Sequence, residues 1–321
     1  MIIAHAARVP HEPKLLRLGD MPPTPRALRR ARTAAIVVGV IVGVVALRLY
    51  AIYTPDRPAA PWVYKSIDGR ELRVLLTQPD PARFPGERPA LLMFHGGGWR
   101  TGTPNQFDHL ASDLAGRGVA VASVQYRLQD THGATPLDAL IDAADAMHWI
   151  HRHADELDID LERIGAGGAS AGGQLAAALA TVTQPDLLGL ADAEALNASP
   201  RPAALVLFDP VYDNSPEGYG NDRLGERWRG VSPLHNLHAG MPPTLTMLGE
   251  DDHLVPVATA EAFRDGMRGL GVRSDLVVYP DQPHGFYDFR LPGEVLPNPL
   301  YAQTRRDVFD FLLSLGWIDD N

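Results

Sequence analysis

From Trp62 onward, short apolar runs alternate with amphipathic stretches. ALLMF (90–94) and VAVASV (119–124) are nearly continuous apolar runs, the pattern of strands buried on both faces. Between them FDHLASDLAGRG (107–118) has helical spacing and stops at a glycine, which predicts a crossover helix between parallel strands. Upstream, VYKSIDGRELRVLLTQ (63–78) reads as two strands around an Asp68-Gly69 turn. Downstream the alternation predicts a helix over 138–157, strands over 204–208 and 244–248, a helix over 259–271, a strand over 274–280 and a closing helix over 305–316. An antiparallel start followed by repeated β-α units implies an α/β fold, a mostly parallel sheet with helices on both faces. Ligands of such sheets bind at the carboxyl ends of the strands, so the loops that follow strands are where chemistry is expected.

The first 61 residues break this pattern. A basic segment (1–33) containing Arg26, Arg29, Arg30 and Arg32 precedes AAIVVGVIVGVVAL (34–47), and with Arg48 snorkelling the apolar segment extends to Tyr53. The shorter limit suits the apolar core of a signal peptide, the longer one a membrane-spanning helix. No clear small-x-small cleavage site follows, which favours an uncleaved anchor in contact with the lipid bilayer. A buried core helix is disfavoured by the uniform apolarity, the arginines and the Pro-rich linker TPDRPAAP (54–61). The positive-inside rule then exports the domain at 62–321, as a membrane-anchored or, if cleaved, secreted protein in the periplasm or outside the cell. Residues 1–20 add nothing to this signal, which makes Met21 a candidate start.

Charge sharpens the division. Through Arg57 there are nine Lys and Arg against three Asp and Glu, whereas the remainder holds 20 against 36. An acidic body of that kind repels phosphate backbones, so nucleic acid is excluded as a partner. With no cysteine in the chain, disulfides, thiolate metal sites and a Cys nucleophile are excluded as well.

Within GAGGASAGGQ (165–174), G-x-S-x-G occurs as Gly168-Ala169-Ser170-Ala171-Gly172, between a predicted strand (ERIGAG) and an Ala/Leu-rich helix (QLAAALAT). A sharp strand-to-helix turn forces strained backbone angles and close approach to neighbouring chain, so the residues two before and two after the serine must be small. Ser170 then sits at a helix N-terminus, whose dipole favours developing negative charge. HGGGW (95–99) follows ALLMF directly and offers backbone N–H groups bare of side chains, as an oxyanion requires. A phosphate-cradling loop is disfavoured because it lacks the Lys-Ser/Thr and the GxGxxG spacing. A serine needs a base and the base an orienting carboxylate. GEDDHLVP (249–256) supplies Asp251 and Asp252 after one late strand, and QPHGF (282–286) supplies His284 after the next. The order Ser170, Asp, His is that of α/β-hydrolases.

Together, HGGGW, GASAG, GEDDHLVP and QPHGF resemble the α/β-hydrolases of the bacterial hormone-sensitive-lipase-like esterase group, and closely its acetyl-esterase members, some of which act on acetylated plant polysaccharides. The resemblance runs from about Tyr64 to Trp317. It implies an eight-stranded, mostly parallel sheet with a small cap, Ser170 as nucleophile, His284 as base and Asp252, rather than Asp251, as orienting acid. It also implies an oxyanion hole made by Gly97, Gly98 and Ala171, with Gly96 and His95 supporting the turn and Tyr126-Arg127 bracing the loops. Ala169 stands where many members carry an acidic residue, and residues 54–66 are too few for a large N-terminal cap, which points to an open site and short acyl groups. In the long loop 209–228, Tyr212, Asp213, Tyr219 and Trp228, together with Trp99, are expected to contact a small-molecule or carbohydrate ester. The activity so implied is that of a serine carboxylesterase working on acetyl or other short acyl esters, without cofactor or metal. A serine peptidase and a non-enzymatic binding module of the same fold are the alternatives. His148, His151 and His153 do not form a metal site, because 151 and 153 point in nearly opposite directions on a helix.

Overall fold

The structure is a computed structural model that describes residues 24–57, 59–183, 199–291, 294 and 296–320. Residues 1–23, including Met21, lie outside the described residues. The chain divides into two units, Met1–Thr54 and Pro55–Asn321.

In the first unit, Pro25–Tyr53 form one helix (α1). Its described valines and isoleucines are exposed, from 50% at Val37 to 67% at Ile36. Among the described residues no helix is long and apolar enough to cross a membrane. The side chains of 46–53 lie outside the described set. The expected transmembrane anchor over 34–53, and the bilayer contact drawn from it, therefore gain no support from the described residues.

The second unit holds an eight-stranded sheet in the order β1-β2-β4-β3-β5-β6-β7-β8. The strands are β1 (Ala60–Ile67), β2 (Arg70–Thr77), β3 (Arg88–Phe94), β4 (Ala120–Val124), β5 (Ile159–Ala169), β6 (Leu205–Phe208), β7 (Thr244–Gly249) and β8 (Ser274–Tyr279). Only β2 runs against its neighbours; β3 to β8 are parallel. β1 begins inside the segment expected to be a linker, with Ala60 opposite Leu76. Pro61 is tolerated there because β1 is an edge strand, where a missing N–H breaks no ladder.

Alternation along β3 shows how the two faces are filled. Leu92 and Phe94 join the core under the helices Pro136–Arg152 (α3), Ala171–Thr181 (α4) and Val257–Gly269 (α5), whereas Leu91 and Met93 join the core under Asp108–Ala115 (α2) and Tyr301–Ser314 (α6). The start of α3 is set locally: Thr135 and Asp138 form a capping box, and Pro136 occupies the first turn. Its end comes at Arg152, five residues before the predicted limit, and His153 already turns its ring onto Trp149. His151 bonds back to the Met147 carbonyl and His153 to that of Trp149, so both serve the helix end.

The crossovers leave the carboxyl ends of β3, β5, β6, β7 and β8 side by side at one rim. Behind that rim, the buried carboxylate of Asp142 on α3 takes Arg127 at 2.8 Å and Lys65 at 2.6 Å, pairing the end of β4 with β1. A charge with no solvent needs such partners. Tyr126 donates its hydroxyl to the His95 carbonyl at 2.7 Å, fixing the first residue of the HGGGW loop.

Candidate active site

Ser170 is the residue between β5 and α4, with φ 51° and ψ −117°, a conformation that a side chain rarely adopts. Its backbone is held from both sides: its N–H donates to Phe208 at 2.9 Å, and its carbonyl accepts from Gln174 at 3.0 Å and Val211 at 3.2 Å. The flanking glycines answer to backbone, not to flexibility. A Cβ on Gly172 would lie 2.0 Å from the Phe94 carbonyl oxygen, and one on Gly168 2.5 Å from the same atom. Glycine in the preceding strand has a related cause, since a Cβ on Gly167 would meet the Val206 carbonyl at 2.6 Å.

Across the rim, His284 Nε2 lies 3.0 Å from Ser170 Oγ, and His284 Nδ1 lies 2.6 Å from Asp252 Oδ2. The other oxygen of Asp252 accepts the N–H groups of Leu254 and Val255 at 2.9 and 2.8 Å. Asp251 is exposed, with its backbone bonded to Gln282, so geometry separates the two neighbouring acids that the loop sequence alone left open. Burial pushes the His284 pKa down, but the bond to Asp252 and the charges of Asp209, Asp252 and Asp288 outweigh it, and the net direction is upward. Such a histidine holds a proton more readily than a free imidazole does.

The HGGGW loop reaches the serine from β3. Gly96 donates its N–H to Gln106 Oε1 at 2.7 Å and is engaged in holding the loop. The N–H groups of Gly97 and Gly98 find no acceptor among the described residues, and that of Ala171 opens the first turn of α4, where helical N–H groups are unpaired. Positive φ at Gly97 (114°) and Gly98 (62°) turns the chain there. His95 is buried, stacks on Tyr126 with ring centroids 4.2 Å apart and meets the Gly96 carbonyl at 2.7 Å. Burial pushes its pKa down to about 4, which keeps the ring neutral.

The expected substrate contacts divide. Trp99 and Tyr212 are 1% and 0% exposed, and Tyr212 lies in the wall of a cleft after β6. Trp99 is instead clamped by Arg223, whose guanidinium lies 5.0 Å from its ring, and Tyr212 bonds Thr246 at 2.6 Å and stacks on Phe263. Trp228 packs edge-on against His235. Asp213 and Tyr219 do line a cleft, of about 180 Å³, together with Glu217, His253, Leu254 and Thr259. Its walls come from the segment after β6 and from the loop that carries Asp252.

Four contributors escaped the sequence reading. Arg223 donates to the Gly98 carbonyl and caps both Trp99 and Tyr219. Gln106 links Gly96 to Asp288, which it meets at 3.0 Å. Asp209 is buried 3.9 Å from His284 Nδ1. Of these, only Asp209 left a signal, as an acid directly after a strand at the rim. The donor atoms of Asp209, Asp252 and His284 lie within 4.8 Å of one another, the spacing of a metal site. A metal there would have to displace the 2.6 Å contact that occupies His284 Nδ1.

Comparison with known proteins agrees with this fold. A family described as alpha/beta hydrolase fold matches residues 91–228. Ethyl acetate hydrolase of Pseudomonas putida is 32% identical over 252 residues, covering 68% of this chain and 72% of that protein. The probable carboxylic ester hydrolase LipM of Mycobacterium tuberculosis is 28% identical over 77% of this chain, which spans 59% of LipM's length. Among solved structures, native esterase 2 of Thermogutta terrifontis superposes with a TM-score of 0.74 at 34% identity, covering 82% of this chain and 95% of that one. The butyrate-bound form of the same esterase gives 0.73 at 33% identity, over 82% and 96% of the two chains.

Proposed function

We propose that this chain, which belongs to the α/β-hydrolase family and is a carboxylic ester hydrolase, hydrolyses short acyl esters, acetyl esters above all, through a Ser170-His284-Asp252 triad. The observation that carries the reading is the continuous line from Asp252 through His284 to Ser170, with steps of 2.6 and 3.0 Å.

Ser170 Oγ attacks the ester carbonyl carbon as its proton passes to His284 Nε2, and Asp252 holds Nδ1–H and balances the imidazolium. Negative charge gathers on the former carbonyl oxygen and is met by the N–H groups of Gly97, Gly98 and Ala171, donors that need no rearrangement. The intermediate collapses, the ester C–O bond breaks, and His284 returns the proton to the leaving alkoxide. Water then attacks the acyl-enzyme, giving its proton to His284; the acid is released and Ser170 regains its hydrogen.

Short acyl groups are favoured by the names and ligands of similar proteins, ethyl acetate hydrolase and an esterase solved with propionate and with butyrate. A carbohydrate alcohol suits the cleft after β6, where Asp213, Glu217 and Tyr219 offer hydrogen-bonding groups to hydroxyls. A site at a membrane, with the hydrolase domain exported, is in keeping with the exposed valines and isoleucines of α1 and the arginines before them.

Ser170→Ala is expected to lower hydrolysis of an activated acetyl ester by about 10⁴-fold or more; normal turnover by that variant sinks the triad. Rates across acyl lengths, with acetylated oligosaccharides included, test the substrate, and a preference for long chains overturns it. Fractionation of the native host tests the location.

A further inference from the structure

Asp209 is the first residue after β6 and is fully buried. Its backbone is left-handed, with φ 41°, which is unusual for any residue but glycine. One carboxylate oxygen accepts the Gly249 N–H at 3.1 Å and the other the Gly285 N–H at 2.7 Å. Gly249 ends the strand that leads to Asp252, and Gly285 follows His284 directly. A single side chain therefore binds the acid loop to the base loop. The oxygen that accepts from Gly285 also lies 3.9 Å from His284 Nδ1, while Asp252 touches the same nitrogen at 2.6 Å.

Two carboxylates thus face one imidazole nitrogen. A triad of three residues has no use for the second, and burying it beside another acid is costly. We propose that Asp209 is a positioning residue for ester hydrolysis, a second acid that holds His284 in place through Gly285 and adds negative charge to the imidazolium formed in each proton transfer. This rests on the triad reading above.

The proton itself stays on His284. Asp209 acts through space and through the Gly285 hydrogen bond, and it forms no bond to substrate. The other ionisable groups facing the imidazole are Asp252 on the loop after β7 and Asp288 after β8, with the buried phenol of Tyr287 beside them. Burial drives the Asp209 carboxyl up to about 7, against the opposing pull of the Gly285 N–H and the His284 charge. The remaining gap of roughly 1 Å to hydrogen-bonding distance also lets Asp209 stand in partly for Asp252 when that residue is removed.

The test is the pH profile of kcat/KM for an activated acetyl ester in Asp209→Asn, with Ser170→Ala as a control. Activity needs neutral His284, so the acidic limb reports the proton that the two carboxylates help to hold. Removing one charge is expected to move that limb to lower pH by about half a unit or more and to lower kcat about three- to tenfold, with KM within about twofold. In an Asp252→Ala background, the same change is expected to remove a further tenfold or so of the residual rate. A purely structural Asp209 would lower the melting temperature and leave the limb where it is, and that result overturns the proposal. Loss of activity in Ser170→Ala together with an unmoved limb in Asp209→Asn sinks the Asp209 claim alone, whereas full activity in Ser170→Ala sinks the triad reading and Asp209's role with it. If Asp209→Asn is not recovered folded, Asp209→Ser, smaller and able to accept one of the two N–H groups, is read by the same profile.

Discussion

The turn at 165–174 and the segment after β6, residues 209–235, meet at the same serine but are held in different ways. In the turn, backbone packs on backbone: Gly168 and Gly172 both abut the Phe94 carbonyl, so the residue type is dictated by space alone. In the later segment, side chains do the holding. Arg223 bonds the Gly98 carbonyl, Tyr212 finds Thr246 in another strand, and Asn214 meets the Tyr219 carbonyl at 2.9 Å. Backbone-held geometry tolerates almost no substitution and leaves a fixed spelling in the sequence. Side-chain-held geometry depends on a partner far along the chain and leaves none.

The sharpest way to break this contrast is Gly172→Ala. One methyl group would have to occupy space 2.0 Å from a carbonyl oxygen of β3, and neither strand nor helix can yield without moving Ser170. Overpacking commonly costs about 1–3 kcal/mol, and displacing the nucleophile by about 1 Å costs about 10²-fold or more in rate. Purified variant is expected to show both losses, by thermal melting and by acetyl ester hydrolysis. Near-normal rates would mean that the turn is more pliable than its contacts indicate.

Arg223→Ala makes the matching change in the side-chain-held region. It removes the donor to the Gly98 carbonyl and the cation over Trp99 and Tyr219, and so loosens the loop whose N–H groups are proposed to meet the oxyanion. A fall in kcat of about tenfold is expected, with a small change in KM, because the effect falls on the transition state. An unchanged kcat would show that β3 and Tyr126 position the loop without help.

How much was legible follows the same line. The strand and helix order could be read because burial on both faces demands continuous apolar runs, and the G-x-S-x-G turn because its glycines are sterically required. The choice of Asp252 over Asp251 came from the resemblance and not from the loop's residues alone; its physical reason is the loop's path, in which Leu254 and Val255 point their N–H groups at Asp252. The packing of Tyr212 and Trp99 could not be read in one dimension, since Tyr212 stacks on Phe263 and Trp99 lies under the Arg223 guanidinium, partners far along the chain. Gln106, Asp288 and Arg223 carry no local motif at all. Their roles arise only where distant segments converge.

Asp209 lies between the two cases, a side chain at a strand end, and its cost should be visible in stability. Its folded carboxyl is raised to about 7, above the ordinary aspartate value of an unfolded chain. The folded state therefore binds more protons between those values, and this residue's contribution is greatest at low pH and lost as pH rises through about 7. Asp209→Asn removes that loss. Whatever the variant's melting temperature at pH 5, its difference from the parent protein is expected to shift in the variant's favour by about 2–5 °C on going to pH 8. A difference that stays constant across that range would mean that Asp209 is ionised in both states.

The smallest expected effect concerns Tyr212, in the wall of the cleft after β6. Its hydroxyl is buried against Thr246 at 2.6 Å and its ring lies 3.9 Å from that of Phe263. Tyr212→Phe keeps the ring and deletes one buried hydrogen bond, leaving Thr246 to find another partner. A stability loss of about 1 kcal/mol, or roughly 2–4 °C in melting temperature, is expected. KM for acetylated oligosaccharides should not change, because the hydroxyl that could bond a ligand is engaged by Thr246. A raised KM with intact stability would mean that the Tyr212 hydroxyl exchanges Thr246 for the substrate in the cleft.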